Sequence, residues 1–148
     1  MHYQSLPHSK IKNQTVDQNT KKNNTHAIHK PKQLTNEELE RYKRNILIPE
    51  VGIEGQQKIL NSKVLIVGIG GIGSPIALYL AASGVGTIGI IDNDIVDKTN
   101  LQRQILHSEA FIGYSKVESA KSKLKELNSN INIITYHERL NENNVEKI

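Results

Sequence analysis

Cysteine and tryptophan are absent from this chain of 148 residues, which also holds a single methionine and a single phenylalanine. Without cysteine, these residues can build no disulfide framework, no thiolate zinc site and no cysteine nucleophile. No apolar run approaches the ~18 residues of a membrane-spanning helix. The N-terminus also lacks the apolar core of a secretory signal. We therefore expect a soluble intracellular protein with no membrane partner.

The excess of positive over negative charge is confined to the first 34 residues of the chain. The net charge is +4, but residues 1–34 contain six lysines against one aspartate, and the remainder contains 13 basic against 14 acidic residues. Residues 35–148 thus lack the basic face of nucleic-acid-binding proteins, and we expect no nucleic-acid partner. Residues 1–34 have almost no large apolar side chains to offset chain entropy. We predict a disordered basic tail over 1–34 and one domain over 35–148.

Helix and strand patterns alternate along the predicted domain. Thr35 and Glu38 have the spacing of a helix capping box. Three apolar strands are predicted over residues 63–68, 87–92 and 131–138, with helices between them over 71–83 and 113–128. This order predicts an α/β fold, the N-terminal half of a Rossmann-like, doubly wound parallel sheet preceded by helices. Because the first strand is a continuous apolar run, we expect helices on both of its faces.

A glycine turn joins the first strand to its helix. In VLIVGIGGIGSP, Gly68, Gly70 and Gly73 have the G-x-G-x-x-G spacing, which suits a tight turn, close approach of a phosphate and helix–strand packing. The helix N-terminus then offers unpaired N–H groups to an anion. Asp92, at the end of the second strand, is placed to bind a ribose. NAD and ATP both carry an adenosine ribose, so these residues predict a nucleotide without separating the two.

The loop after the second strand favours phosphate chemistry. Its sequence, DNDIVDKTNLQRQILH, brings four polar residues to the carboxyl end of that strand, where doubly wound folds bind ligands: Asp94, Asn100, Arg103 and Gln104. Lys116 begins the next helix. Two cations beside a phosphate-binding turn suit a transferring phosphate, whereas hydride transfer has no such charge to stabilise. An NAD-dependent oxidoreductase and a nucleotide-binding or dimerisation remnant without turnover stay open as alternatives.

Four segments resemble one family: ERYKRNILIPEVGIEGQQKI, SKVLIVGIGGIGSP, GVGTIGIIDNDIVDKTNLQRQILH and GYSKVESAKSKLKELNSNINI. They are similar to the ThiF/MoeB/HesA family of relatives of ubiquitin-activating enzymes, and most similar to its molybdopterin-synthase adenylyltransferases. The resemblance covers about residues 37–140. It implies ATP-dependent adenylation of the C-terminal glycine of a small ubiquitin-fold sulfur carrier, of the molybdopterin-synthase or thiamine type, with release of pyrophosphate.

The resemblance also implies roles for individual residues. Gly71 lines the phosphate turn, and Asp92 binds the ATP ribose. The loop over the triphosphate comprises Thr99, Asn100, Leu101, Gln102 and Arg103. Arg103 and Lys116 are the candidate catalytic residues, because Lys116 contacts phosphate and both cations stabilise the transition state. Arg44 corresponds to an arginine that reaches the ATP of a second subunit, so a homodimer is expected.

Cofactors follow from the same resemblance. It implies ATP and Mg²⁺, but the family's Mg²⁺-placing aspartate and its two zinc-binding C-x-x-C pairs would lie beyond Ile148. The family's zinc site cannot form here, because cysteine is absent. We expect a truncated chain whose full activity needs further polypeptide. Lysine outnumbers arginine 15 to 4, a bias typical of AT-rich genomes, so the expected compartment is the cytoplasm or, for an organelle gene, the plastid stroma.

Overall fold

The computed structural model describes residues 31–148, so most of the predicted tail lies outside the described residues. Lys32, near the end of that predicted tail, contacts the domain. Its Nζ pairs with Glu38 Oε1 at 2.8 Å, and its backbone carbonyl accepts hydrogen bonds from Gln57 and Asn61. Contacts with the domain therefore begin before Thr35.

Three helices precede the sheet. They are α1 (Asn36–Arg41), α2 (Lys43–Ile46) and α3 (Gly52–Asn61). The predicted capping box is confirmed, because Glu38 N donates to Thr35 Oγ1 while Thr35 N donates to the Glu38 carboxylate. Tyr42, between α1 and α2, is buried, and its hydroxyl accepts a hydrogen bond from Asn128 Nδ2 at 2.9 Å. This side chain ties the N-terminal helices to the core.

Three parallel strands form the sheet, in the order β1 (Lys63–Val67), β2 (Thr87–Ile91) and β3 (Asn132–Tyr136). Helix α4 (Gly73–Ser83) connects β1 to β2, and α5 (Lys116–Leu127) lies between β2 and β3. Single 3₁₀ turns at Lys98–Asn100 and Glu109–Phe111 interrupt the long loop before α5. The predicted Rossmann-like α/β fold is confirmed. Within residues 31–148, no helix combines the length and the apolar character needed to cross a bilayer.

Both connecting helices cover the same face of the sheet. Helix α4 packs on β1 and β2, α5 packs on β3, and the two helices contact each other over one apolar core. On the opposite face, Leu65 and Val67 of β1 are 42% and 61% exposed, and Ile134 of β3 is 40% exposed. The expectation that helices cover both faces of β1 is therefore wrong for the described residues. The apolar run belongs to an edge strand whose second face remains open.

Candidate nucleotide-binding site

The three glycines of the turn are needed for different reasons. Gly68 has a φ of +84°, a conformation that residues with side chains rarely adopt. A Cβ on Gly73 would lie 2.1 Å from the Gly68 carbonyl oxygen, so no side chain fits there between strand and helix. A Cβ on Gly70 would meet only the Gln104 amide, at an ordinary 3.6 Å. The fold therefore requires Gly68 and Gly73, whereas a closely approaching ligand would require Gly70.

A row of free backbone donors follows the turn. The N–H groups of residues 70–73 donate to no other group in the described part of the chain. They lead into α4, an 11-residue helix, whose N-terminal end carries the positive end of the helix dipole. Consecutive free N–H groups at a helix N-terminus bind phosphates and other anions. The backbone therefore offers the donors that the predicted anion site requires, and anion binding there stays a prediction.

Two side chains hold the turn from inside. Ile69 N donates to Asp92 Oδ2 at 2.8 Å, and the Ile69 carbonyl oxygen lies 3.0 Å from His107 Nε2. The other ring nitrogen, His107 Nδ1, lies 3.0 Å from Ser119 Oγ in α5. Burial lowers the pKa of His107. The bond to the Ile69 carbonyl and the charge of Asp92 oppose that effect, and the charge of Lys116 adds to it. A neutral imidazole therefore connects the turn to α5.

Asp92 is shared between two backbone donors. Besides Ile69 N, the backbone N–H of Asp94 donates to Asp92 Oδ1 at 2.8 Å. An ionised carboxylate has about four acceptor positions. The two backbone bonds therefore leave acceptor positions on Asp92 for ribose hydroxyls. The ribose role of Asp92 stays a prediction. Its position at the end of β2, beside the glycine turn, is the one that the sequence predicted.

Lys116 is buried and paired. Only 4% of the residue is exposed, and its Nζ contacts the exposed carboxylate of Asp94 at 2.8 Å. The backbone reinforces the contact, because Lys116 N donates to the Asp94 carbonyl at 3.0 Å. The ammonium group thus lies at the carboxyl end of β2. A phosphate oxygen that arrived there would share or replace the Asp94 carboxylate.

The segment from Thr99 to Arg103 is mostly exposed, and its last residue, Arg103, lies beside the turn. Asp97 accepts hydrogen bonds from the Thr99 N–H and hydroxyl, which lower the pKa of Asp97. Arg103 Nη1 donates to the Thr99 carbonyl at 3.4 Å. The stem of Arg103 lies 3.5 Å from where a Cβ of Gly71 would be, and Arg103 lines the same groove as residues 70–73. The structure therefore brings Arg103 and Gly71 together.

The sequence profile of the ThiF family matches residues 42–148. The chain belongs to the ThiF family. It is 53% identical over 111 residues to the adenylyltransferase and sulfurtransferase MOCS3 of Aedes aegypti, a match that covers 75% of this chain and 25% of that protein. It is 48% identical over 107 residues to the probable adenylyltransferase/sulfurtransferase MoeZ of Mycobacterium tuberculosis, covering 72% of this chain and 27% of MoeZ. The chain thus spans about a quarter of the length of these curated relatives.

A solved structure shares the architecture of this ThiF-family domain. E. coli MccB, in its structure with ATP, is 39% identical and superposes with a TM-score of 0.65 over 73% of this chain and 34% of MccB. That match covers the larger part of the described residues. The sequence-based assignment to the ThiF/MoeB/HesA family is confirmed.

Arg44, a predicted ATP-binding residue, lies away from the turn in this ThiF-family domain. It lies in α2, is exposed and makes no hydrogen bond or ion pair with the described residues. It is also not among the residues that line the groove beside Gly71. A single chain therefore assembles the turn, Asp92, Arg103 and Lys116, and leaves Arg44 on a separate surface.

Metal binding by protein groups alone has no support in residues 31–148, where no three carboxylate or imidazole groups lie close enough to hold an ion. Mg²⁺ is usually bound through one or two carboxylates together with substrate phosphates. Asp94, exposed at the carboxyl end of β2, fits that smaller requirement as a carboxylate near the phosphate site.

Sequence reasoning missed two buried residues beside the turn. The sequence assigns no role to His107, because its contact with Ile69 joins residues far apart in the chain. Gln104 was noted only as a polar loop residue, yet it is 4% exposed and its Oε1 has no hydrogen-bond partner in the described part of the chain. Its Nε2 faces Gly70. No local pattern in the sequence distinguishes a buried from an exposed polar side chain in such a loop.

Proposed function

We propose that this ThiF-family domain binds ATP and transfers its adenylyl group to the C-terminal carboxylate of a small ubiquitin-fold sulfur carrier, releasing pyrophosphate. The observation that carries the proposal is the row of free N–H groups at residues 70–73, with Arg103 lining the same groove and Lys116 paired with Asp94 at the carboxyl end of β2. Support comes from the names of its relatives, since MOCS3 and MoeZ are adenylyltransferases, and from MccB, whose structure was solved with ATP.

The reaction needs electrostatic stabilisation more than a covalent enzyme group. A carboxylate oxygen of the carrier attacks the α-phosphorus, the bond to the bridging oxygen breaks, and pyrophosphate leaves with its electron pair. Negative charge then builds on the α- and β-phosphates, beside the turn N–H groups, Arg103 and Lys116. Fixed donors of this kind typically contribute on the order of 10²–10³ in rate each. Asp92 would hold the ribose, and the loop from Thr99 to Gln102 would lie over the triphosphate.

The contact with Asp94 gives Lys116 a defined position. Its ammonium group lies 2.8 Å from the exposed Asp94 carboxylate. Phosphate oxygens bound there would share the contact of Lys116, and Asp94 would be the carboxylate that holds Mg²⁺ together with the triphosphate. One carboxylate with phosphate oxygens is an arrangement that Mg²⁺ accepts. ATP and Mg²⁺ are thus the cofactors of the proposed reaction.

A second copy of the chain would complete the site. Arg44 lies on a surface that also exposes three large apolar side chains, Leu47, Ile48 and Ile53. Exposed apolar clusters of this kind mark protein interfaces. We propose that this surface forms a homodimer in which Arg44 reaches the triphosphate bound by the partner subunit. The proposed compartment, where such carriers would be met, is the cytoplasm or the plastid stroma.

ATP–pyrophosphate exchange with a ubiquitin-fold carrier protein tests the proposal. Exchange that depends on both the carrier and its C-terminal glycine is the expected result. The same preparation is titrated with ATP and with NAD by calorimetry, and ATP is expected to bind more tightly. Tighter binding of NAD would indicate an oxidoreductase domain. ATP binding without exchange would indicate a nucleotide-binding domain without turnover.

A further inference from the structure

A buried histidine, His107, contacts the backbone of the glycine turn. We propose that His107, which has no role in the family resemblance, is a positioning residue that fixes the Ile69–Gly70 peptide and thereby aims the Gly70 N–H at the nucleotide phosphates. The inference rests on the proposed nucleotide binding. It concerns how the turn is held in place before any nucleotide arrives.

The geometry of the peptide group carries the first step. The described residues contain no cis peptide, and in a trans peptide the C=O and N–H groups point in opposite directions. The Ile69 carbonyl points inward to His107 Nε2, 3.0 Å away. The Gly70 N–H must therefore point away from His107, and it has no acceptor among the described residues. Ser74 Oγ also donates to the Ile69 carbonyl, over a longer 3.5 Å, so His107 makes the shorter of the two side-chain contacts that hold this carbonyl on the buried side.

For a neutral imidazole, the two contacts of His107 allow one position of the ring proton. A carbonyl oxygen only accepts, so His107 Nε2 carries the proton and donates it to Ile69. His107 Nδ1 then accepts from the hydroxyl of Ser119, which is itself buried. The two charged groups that act on the ring are Lys116, at the start of α5, and Asp92, at the end of β2. The ring lies between the turn and the helix that carries Lys116.

The turn needs such support because its own residues are flexible. Ile69 lies between Gly68 and the pair of glycines that follows, and glycine gives up more conformational freedom on folding than any other residue. A flip of the Ile69–Gly70 peptide would present a carbonyl oxygen to the phosphates and repel them. Asp92 holds the N–H of Ile69 and His107 holds its C=O. Both ends of this one residue are therefore fixed, and donors fixed in advance bind developing charge most effectively.

Two variants of the full chain separate this role from simple packing. His107→Leu keeps a side chain of similar size without a donor, and His107→Gln restores an Nε2 donor. We expect His107→Leu to weaken ATP binding on the order of ten-fold, as for one lost hydrogen bond, while adenosine binding changes less than two-fold. His107→Gln should recover most of the loss. Equal weakening of ATP and adenosine, or no rescue by glutamine, would overturn the inference.

Nuclear magnetic resonance of the wild type tests the inference without a variant. The ¹⁵N shifts of the His107 ring are expected to show a neutral imidazole protonated at Nε2, and the Gly70 amide resonance should shift when ATP is added. A ring protonated at Nδ1, or a Gly70 resonance that ignores ATP, contradicts the proposal even if His107→Leu does not fold. Failure of the wild type to bind ATP would remove the proposed function itself, and the inference with it.

Discussion

The glycine turn and the loop of residues 97–103 meet where Arg103 lies beside Gly71, but they are held differently. The turn is fixed by buried side chains from distant parts of the chain, Asp92 and His107. The loop, residues 97–103, is held by contacts within itself, mainly hydrogen bonds of Asp97 and Arg103 with Thr99. Because its contacts come from distant parts of the fold, the turn is preorganised. The loop, which is held mainly by its own residues, can adapt to a ligand. Substitutions at the two glycines that the fold requires, Gly68 and Gly73, should therefore change folding, whereas substitutions in the loop should change only binding and catalysis.

The largest effect is expected at Gly73. The Cβ of Gly73→Ala would lie 2.1 Å from a backbone oxygen, which cannot move without displacing β1. We expect a loss of at least about 3 kcal/mol in the free energy of unfolding, at the upper end of overpacking penalties. Gly70→Ala is the matched control, because its Cβ meets only the Gln104 amide at 3.6 Å. It should unfold within about 1 kcal/mol of the wild type. Urea unfolding measures both, and equal losses would show that the two glycines share one role.

Arg103 should show the next largest effect, confined to activity. In Arg103→Ala we expect adenylation to slow on the order of 10²–10³, because a donor to the developing phosphate charge is lost. Adenosine affinity and the urea midpoint should stay near the wild-type values, since Arg103 is exposed and its side chain has one hydrogen bond within the described residues, to the Thr99 carbonyl. Lys98→Ala, an exposed cation of the same loop, serves as the charge control. If the two variants lose activity equally, net charge rather than position explains the effect.

A smaller effect should appear in the pH dependence of stability. Burial lowers the pKa of His107 below its ordinary 6.5, so the unfolded chain binds this proton at a higher pH than the folded chain. The stabilisation is complete above about pH 6.5 and is lost as the pH falls through the folded-state pKa, with a slope of at most ~1.4 kcal/mol per pH unit. The difference between wild type and His107→Gln, from urea unfolding at several pH values, isolates this histidine. Parallel curves for the two proteins would contradict a buried neutral ring.

The smallest effect is expected from the N-terminal tail. Deleting residues 1–30 removes lysines and polar residues but leaves Lys32, and ATP affinity should stay within about two-fold because apolar anchors are lacking there. Deletion through residue 34 also removes the Lys32 partner of buried Glu38. It should therefore lower the melting temperature more than the shorter deletion does. A collapse of ATP binding in the shorter deletion would show that the tail contributes to the site.

Local patterns predicted the parts of the site that depend on local chemistry. Strand, glycine turn and helix follow one another within residues 63–83, so spacing alone indicated them. The contact of His107 with Ile69 could not be predicted, because it depends on how α5 packs beside the turn. The open face of β1 could not be predicted either, because a continuous apolar run does not show whether one face of the strand is covered or both. Whether a strand is covered is decided by helices elsewhere in the chain.

The strands lie along the sheet in the order in which they occur in the chain, β1, β2 and β3. Each strand can therefore join the edge left by the one before it as the sheet grows. The turn, Asp92 and Arg103 all precede β3, and Lys116 begins α5, the helix that packs on β3. The long connection between β2 and β3 adds little to the entropic cost of pairing them, because the cost of closing a loop grows only with the logarithm of its length. A nucleotide bound to both the turn and Lys116 would thus oppose the detachment of β3 and lengthen the lifetime of the folded chain.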